Sequence, residues 1–184
     1  ATSLLARHHC DILIHINTPT AENIPAYGRI QGFMDFCREN NMNHKIFCHR
    51  TENTYDSSLQ YLKDILEELE TSYTGMRKGI FVFNDTHANI LLNLIVRKYG
   101  TLPDDYYIIG FDDSPVAREA VIPISTIGQQ IDRIANEAVS LLVSQMNERK
   151  KRKPAPLKEP VHKTITPILI RRETTEKEDE PKNR

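Results

Sequence analysis

The sequence predicts an α/β fold, a parallel sheet flanked by helices. Short apolar runs alternate with amphipathic stretches of helical period along most of the 184 residues, and strict strand–helix alternation builds parallel sheets. The runs themselves, such as IFVF (80–83) and YYII (106–109), are continuously apolar, as in strands covered on both faces. Polar residues gather where those runs end, at Asn84-Asp85 and Asp112-Asp113. In open α/β sheets ligands bind outside the carboxyl ends of the strands.

In chain order, DILIHI (11–16) is the first predicted strand. YGRIQGFMDFCREN (27–40) sets Ile30, Phe33, Met34 and Cys37 at helical spacing, and HKIFCH (44–49) is a second strand. DSSLQYLKDILEELE (56–70) opens on cap-type residues and repeats Leu59, Leu62, Ile65, Leu66 and Leu69 on one helical face. KGIFVF (78–83) is a third strand, and DTHANILLNLIVRKYG (85–100) a helix with Asp85 as N-cap and Gly100 as its stop. Within that helix ILLNLIV (90–96) is apolar nearly all round, which suits either a dimer seam or a helix buried within one chain. YYIIGF (106–111) is a fourth strand. QIDRIANEAVSLLVSQM (130–146) is an amphipathic helix whose stripe is Ile131, Ile134, Ala135, Ala138, Leu141 and Leu142. TITPILIRR (164–172) is the last strand.

Composition narrows the function classes. A formal net charge of −1 leaves no global field toward nucleic acid or a membrane. No run approaches the roughly 20 apolar residues of a membrane-spanning helix. Three cysteines at irregular spacing argue against a disulfide framework and fit a reducing, cytoplasmic setting. The chain starts at Ala1, inside what reads as a helix, so a fragment of a longer protein is expected. Prolines 154, 156 and 160 make 151–163 a solvated connector despite its basic run, and the charged, apolar-poor stretch 173–184 reads as a disordered tail. No metal or cofactor is expected: His8, His9 and Cys10 are adjacent, which is poor ligand geometry. No catalytic residue is assigned either, because no nucleophile–base pair or phosphate-cradling glycine loop accompanies the carboxylates.

On local grounds each candidate site residue has a plain structural reading beside it. Asp85 suits a helix cap, and Asp113, before SPVARE, a turn or cap. Arg29 suits a solvated helix charge. Asp112, directly after Gly110-Phe111 at a strand exit, is as well placed for a site as for structure.

The order of the pieces says more. Arg29 stands three residues before Gly32-Phe33; Asn84-Asp85 follows a buried strand, with Ala88 soon after; Pro103-Asp104 precedes the strand ending Gly110-Phe111-Asp112; Pro123 and STIGQ (125–129) follow. In this order and spacing, over residues 1 to about 172, the chain resembles the effector-binding core of the LacI/GalR family of bacterial transcription repressors. That resemblance implies a periplasmic-binding-protein-like fold of type I, two α/β lobes with ligand between them, of which this chain is mainly the second lobe. It implies that 1–10 ends the first lobe, 11–124 forms the second, 125–150 is a crossover helix belonging to the first, and 164–172 returns to the second. It further implies ligand contacts from Arg29, Asn84, Asp112 and Gln129, with Arg29 donating in pairs, Asp112 accepting, and Asn84 doing both. The implied activity is allosteric: a small molecule, most simply a sugar, controls operator binding by an N-terminal head of helix-turn-helix or GntR winged-helix type, in a homodimer. The family usually carries glycine-histidine where this chain has His8-His9, so His8 is expected to sit where a left-handed glycine is normal. A periplasmic sugar-binding protein of a transporter, which shares the fold, is the alternative.

Overall fold

The computed structural model describes residues 1–17, 25–48, 54–150 and 161–176. The chain divides into two compact units, Ala1–Ile127 with Leu169–Arg184, and Gly128–Ile168. Its elements are α1 (Thr2–Arg7), β1 (Ile12–Asn17), α2 (Pro25–Glu39), β2 (His44–Cys48), α3 (Tyr55–Ser72), β3 (Lys78–Val82), α4 (Asp85–Tyr99), β4 (Tyr106–Asp112), α5 (Pro115–Glu119), β5 (Ser125–Gly128), α6 (Ile131–Arg149) and β6 (Ile168–Ile170). The six strands form one sheet in the order β2-β1-β3-β4-β5-β6. The pairs β1–β2, β1–β3 and β3–β4 are parallel, as the continuous apolar runs predicted.

Both faces of the sheet are covered. Ile12, Ile14, Ile16, Ile80, Val82 and Ile108 join the buried residues of α3 and α4 in one core. Leu13, Phe81, Tyr107 and Ile109 face the other way, against Leu4 and Leu5 of α1 and Phe33 and Cys37 of α2. Alternate residues of one strand therefore serve opposite cores, and each fully buried aliphatic side chain contributes about 1.5–3 kcal/mol.

Several local expectations are corrected. The N-cap of α4 is Asn84, in extended conformation with its side chain accepting from the His87 backbone N–H, and Asp85 is the first helical residue. Gly100 does close that helix in the left-handed conformation. The left-handed residue after α1 is His9, at φ 53°, while His8 has φ −80°. In α4, Ile90, Leu91, Leu92 and Ile95 are buried and Leu94 and Val96 pack against the same core. The apolar girdle of ILLNLIV is thus used within the chain. The last strand is short, Ile168–Ile170; Thr166-Pro167 within the predicted run supplies a residue with no N–H for a ladder.

The tail also begins later than its composition suggests. Thr174 and Thr175 are buried. The Thr174 hydroxyl donates to Ile108 O at 2.7 Å and accepts from Ser125 N–H at 2.9 Å, and the Thr175 and Ser125 hydroxyls meet at 2.6 Å. Residues 177–184 and the connector stretch 151–160 lie outside the described residues. Thr174→Val keeps the shape and orphans a backbone N–H and a carbonyl, so it is expected to lower unfolding free energy by about 1–3 kcal/mol. Urea denaturation measures this; a loss inside the scatter of surface substitutions would mean that 173–176 does not stabilise the sheet.

The second unit is described by itself. None of the residues of α6 is buried, and Ile131, Ile134, Val139, Leu142, Val143 and Met146 are exposed. Within the unit Lys163 pairs with Glu137 at 2.6 Å, and the Gln130 side chain donates to Thr166 O at 2.5 Å.

Candidate functional site

The strand order places β2 and β3 on opposite sides of β1. The connections from β1 (to β2) and from β3 (to β4) therefore leave in opposite senses, which makes the carboxyl ends of β1 and β3 the switch point where ligands bind in open α/β sheets. Arg29 of α2, Asn17 at the end of β1, Asn84 after β3, and Phe111 and Asp112 at the end of β4 come from the elements bordering that edge.

Arg29 is held from two sides. Its Nη1 donates to Phe83 O at 2.7 Å, and its guanidinium lies 4.3 Å above the centre of the Phe111 ring. Burial lowers its pKa, and the negative charge of Asp112 partly offsets this. A cation stacked on an aromatic face, with one edge fixed by a carbonyl, keeps its other donors pointed for a ligand. Asp112 has φ 116° and Asp113 φ 56°. Such backbone strain, about 1–3 kcal/mol per residue, gathers at sites where the surroundings enforce it.

Asn84 has less to offer than the sequence suggests. Its Oδ1 accepts from the His87 backbone N–H at 2.9 Å and pairs with His87 Nδ1 at 2.8 Å. Both lone pairs of the oxygen are then used inside the chain, which leaves Nδ2 as its ligand-facing group, a donor only. His87 Nε2 in turn meets Ser58 Oγ at 3.2 Å, and burial lowers the pKa of His87, so the ring is neutral.

The two carboxylates beside the site hold it together. Asp85 is buried: Oδ1 accepts from Thr126 Oγ1 at 2.6 Å, and Oδ2 from Ser114 N–H at 2.7 Å and Ser114 Oγ at 3.1 Å. Burial raises its pKa, and the hydrogen bonds from Thr126 and Ser114 pull against that rise. Asp113 is neither a cap nor only a turn residue. It accepts from Arg172 at 2.6 Å and from Arg118 at 2.7 Å. Burial alone would raise its pKa, but these two guanidiniums outweigh it and hold the carboxyl below its usual range. Asp85 thus ties the start of α4 to β5 and α5, and Asp113 ties the exit of β4 to the returning C-terminal segment.

Of the four predicted contacts, Arg29 and Asp112 interact, and Asn84 stands at the exit of the neighbouring strand. Gln129 is half-buried and belongs to the second unit. Sequence reasoning missed Asn17, which is buried with neither side-chain atom hydrogen-bonded among the described residues. An orphaned buried amide at a strand exit is rare enough to suggest a ligand role; only its place at the end of a strand could have signalled it. It also missed Phe111 as the platform for Arg29, although the GFD triplet puts an aromatic beside the acid.

The model of the periplasmic binding protein-like domain family matches residues 1–175. The ribose operon repressor of Bacillus subtilis (strain 168) is 28% identical over 162 residues, 88% of this chain and 44% of the repressor. Among solved structures, the transcriptional regulator CelR in complex with cellobiose superposes with TM-score 0.73 at 21% identity, over 95% of this chain and 50% of that one. A LacI family transcriptional regulator from Arthrobacter sp. FB24, in complex with lactose, gives TM-score 0.72 at 20% identity, over 95% and 61%. The resemblance and fold class read from the motifs are borne out. The chain spans less than half the length of that ribose operon repressor.

Proposed function

Because the chain belongs to the periplasmic binding protein-like domain family, we propose that it is the ligand-sensing part of a bacterial transcriptional repressor whose effector is a sugar. The observation that carries this reading is the Arg29–Phe111–Asp112 arrangement at the carboxyl edge of the sheet. An aromatic-backed guanidinium beside a carboxylate offers fixed donors and an acceptor a few ångströms apart. Vicinal hydroxyls, each donor and acceptor at once, match that pattern, and a buried cleft must satisfy every such group. The Asn84 amide nitrogen and the orphaned Asn17 amide add polar groups at the same edge. Gln129 is the fourth contact proposed from the sequence, and its own substitution tests it.

We assign Ala1–Ile127 and the segment from Leu169 to the second lobe, and Gly128–Ile168 to the crossover belonging to the first. The second lobe then includes residues 1–10, which the motif resemblance placed in the first lobe but whose Leu4 and Leu5 pack in this core, and residues 125–127 of β5, a strand that joins this sheet. The exposed apolar residues of α6 support that assignment. In the whole protein, ligand would bias lobe closure and so the affinity of an N-terminal head for operator DNA, a coupling of about 1–3 kcal/mol. Operator half-sites call for a homodimer working in the cytoplasm. Among the described residues no helix is long and apolar enough to cross a membrane. The names of the three relatives given above, one repressor and two transcriptional regulators, favour this reading over capture for a transporter.

A panel of mono- and disaccharides titrated calorimetrically against the protein tests the proposal. One sugar is expected to bind saturably, and Asp112→Asn and Arg29→Leu each to weaken it by about ten- to a hundredfold, the worth of a hydrogen bond to a charged group. Undiminished affinity in both variants would place the ligand elsewhere; no bound sugar at all would remove the sugar reading.

A further inference from the structure

We propose that a cleft at the opposite, amino-terminal end of the sheet binds a soluble phosphorylated small molecule. The cleft, about 480 Å³, is lined by Arg7, His8, His9, Arg77 and Arg171, with Tyr107 as part of its wall and Glu176 as its one carboxylate. That volume accommodates a small metabolite. Arg77 precedes β3 and Tyr107 is the second residue of β4, whereas Asn84 and Asp112 close those strands. A five-residue strand is roughly 16 Å long, so this cleft is separate from the sugar site and does not rest on that reading.

Three guanidiniums facing one space repel each other unless an anion sits between them. Glu176 lines the same space, but one carboxylate does not balance three cations. Among the described residues Arg7, Arg77 and Arg171 form no ion pair, and Arg7 and Arg171 no side-chain hydrogen bond. Arg77, in contrast, is positioned. Its Nη1 donates to His8 O at 3.0 Å, its backbone N–H is held by Asp11 Oδ2 at 2.7 Å, and its guanidinium lies 5.9 Å from the Tyr107 ring centre. His8 stacks on the same tyrosine, centroids 4.6 Å apart and planes 19° apart. One fixed arginine with two free ones around it suits a group with several equivalent oxygens, which arginine forks bind in pairs. A phosphate fits, and a diphosphate uses all three. A recessed site of this kind suits a soluble molecule better than a headgroup in a flat lipid surface.

The probe is inorganic pyrophosphate, titrated calorimetrically into the full chain in chloride buffer of fixed ionic strength. Saturable one-to-one binding is expected. Arg171→Ala should weaken it about tenfold, and Arg7→Ala with Arg171→Ala should abolish it. Both side chains are exposed and without partners, so both variants should melt as the parent does. Asp112→Asn, at the other end of the sheet, should bind pyrophosphate normally, which separates failure here from failure of the sugar site. Heats that never saturate, or equal affinity in the double variant, would overturn the proposal. So would cosedimentation with phosphatidylglycerol vesicles in the absence of pyrophosphate binding, since the anion would then be a lipid.

Discussion

Gly110→Ala is expected to destabilise the protein by about 3 kcal/mol, a large effect for one methyl group. Gly110 lies in β4, where the backbone is ordinary: its φ is not positive, so alanine suffers no conformational penalty. On backbone entropy alone the change would stabilise by about 0.4–1 kcal/mol. Space decides otherwise. A Cβ at Gly110 would drive into the Asp85 carboxylate and stand 3.3 Å from Asp85 Cα. That carboxylate cannot swing aside freely, because Thr126 and Ser114 hold both its oxygens. The new methyl must either push α4 away from β4 or break those bonds, which leaves the Ser114 N–H without its acceptor. Gly32→Ala is the internal control: it sits in α2, where an added methyl would meet nothing within 4 Å, so it should stabilise by up to about 1 kcal/mol. The cause is checked by a double-mutant cycle. In an Asp85→Ala background the carboxylate is gone, and Gly110→Ala should cost much less than it does in the parent. Equal costs in both backgrounds would mean that the clash is not with Asp85.

The same pair illustrates what the sequence makes legible. Strand–helix alternation, apolar runs and the stop at Gly100 are local signals, and the sheet and its helices follow them. Whether Asn84 or Asp85 caps α4 is not local. Both residues can accept at a helix start; Asp85 is drawn into the helix and the core because its donors, Ser114 and Thr126, arrive 29 and 41 residues later. Thr174 looks like tail for the same reason, since its partners lie in β4 and β5. Asp113 reads as a turn residue until Arg172, 59 residues on, pairs with it. For the candidate site, the motif order pointed to Arg29 and Asp112, which do interact. The polar inventory was harder to read: His87 consumes the Asn84 oxygen, and Asn17 shows only when its burial is known. Residues that face a ligand could be suspected from strand ends, but their unused valences are set by tertiary partners.

Acid should unfold this protein partly through one imidazole, and His15→Phe should remove that part. His15 lies in the middle of β1, fully buried, stacked between Phe33 and Phe81 at centroid distances of 5.3 and 4.7 Å. Burial pushes its pKa down from 6.5 to about 4; the Phe81 carbonyl 2.9 Å from Nδ1 resists, and the charge of Arg29 adds to the fall. The folded pKa is the lower one, so between about 6.5 and 4 the unfolded chain takes up a proton that the folded chain refuses. Stability from this residue is therefore complete above pH 6.5, is lost as pH falls toward 4, and changes no further below. The span corresponds to about 3 kcal/mol, of which about 2.5 is lost by about pH 4.5. Phenylalanine keeps a ring between the two flanking rings and cannot take the proton. It gives up the bond to the Phe81 carbonyl, at about 1 kcal/mol, so the variant should start somewhat less stable at about pH 7.5 and overtake the parent at about pH 6. Urea denaturation of both proteins at about pH 7.5 and about pH 4.5 measures the difference of differences, in which carboxylates common to both cancel. A parent that loses no more stability than the variant over that interval would mean that His15 is not the proton acceptor. The consequence reaches the site, because the ring shares its surroundings with Arg29: a proton on His15 would place a second cation near the guanidinium that the proposed sugar contacts, so ligand affinity should fall with acid in the parent and hold in the variant.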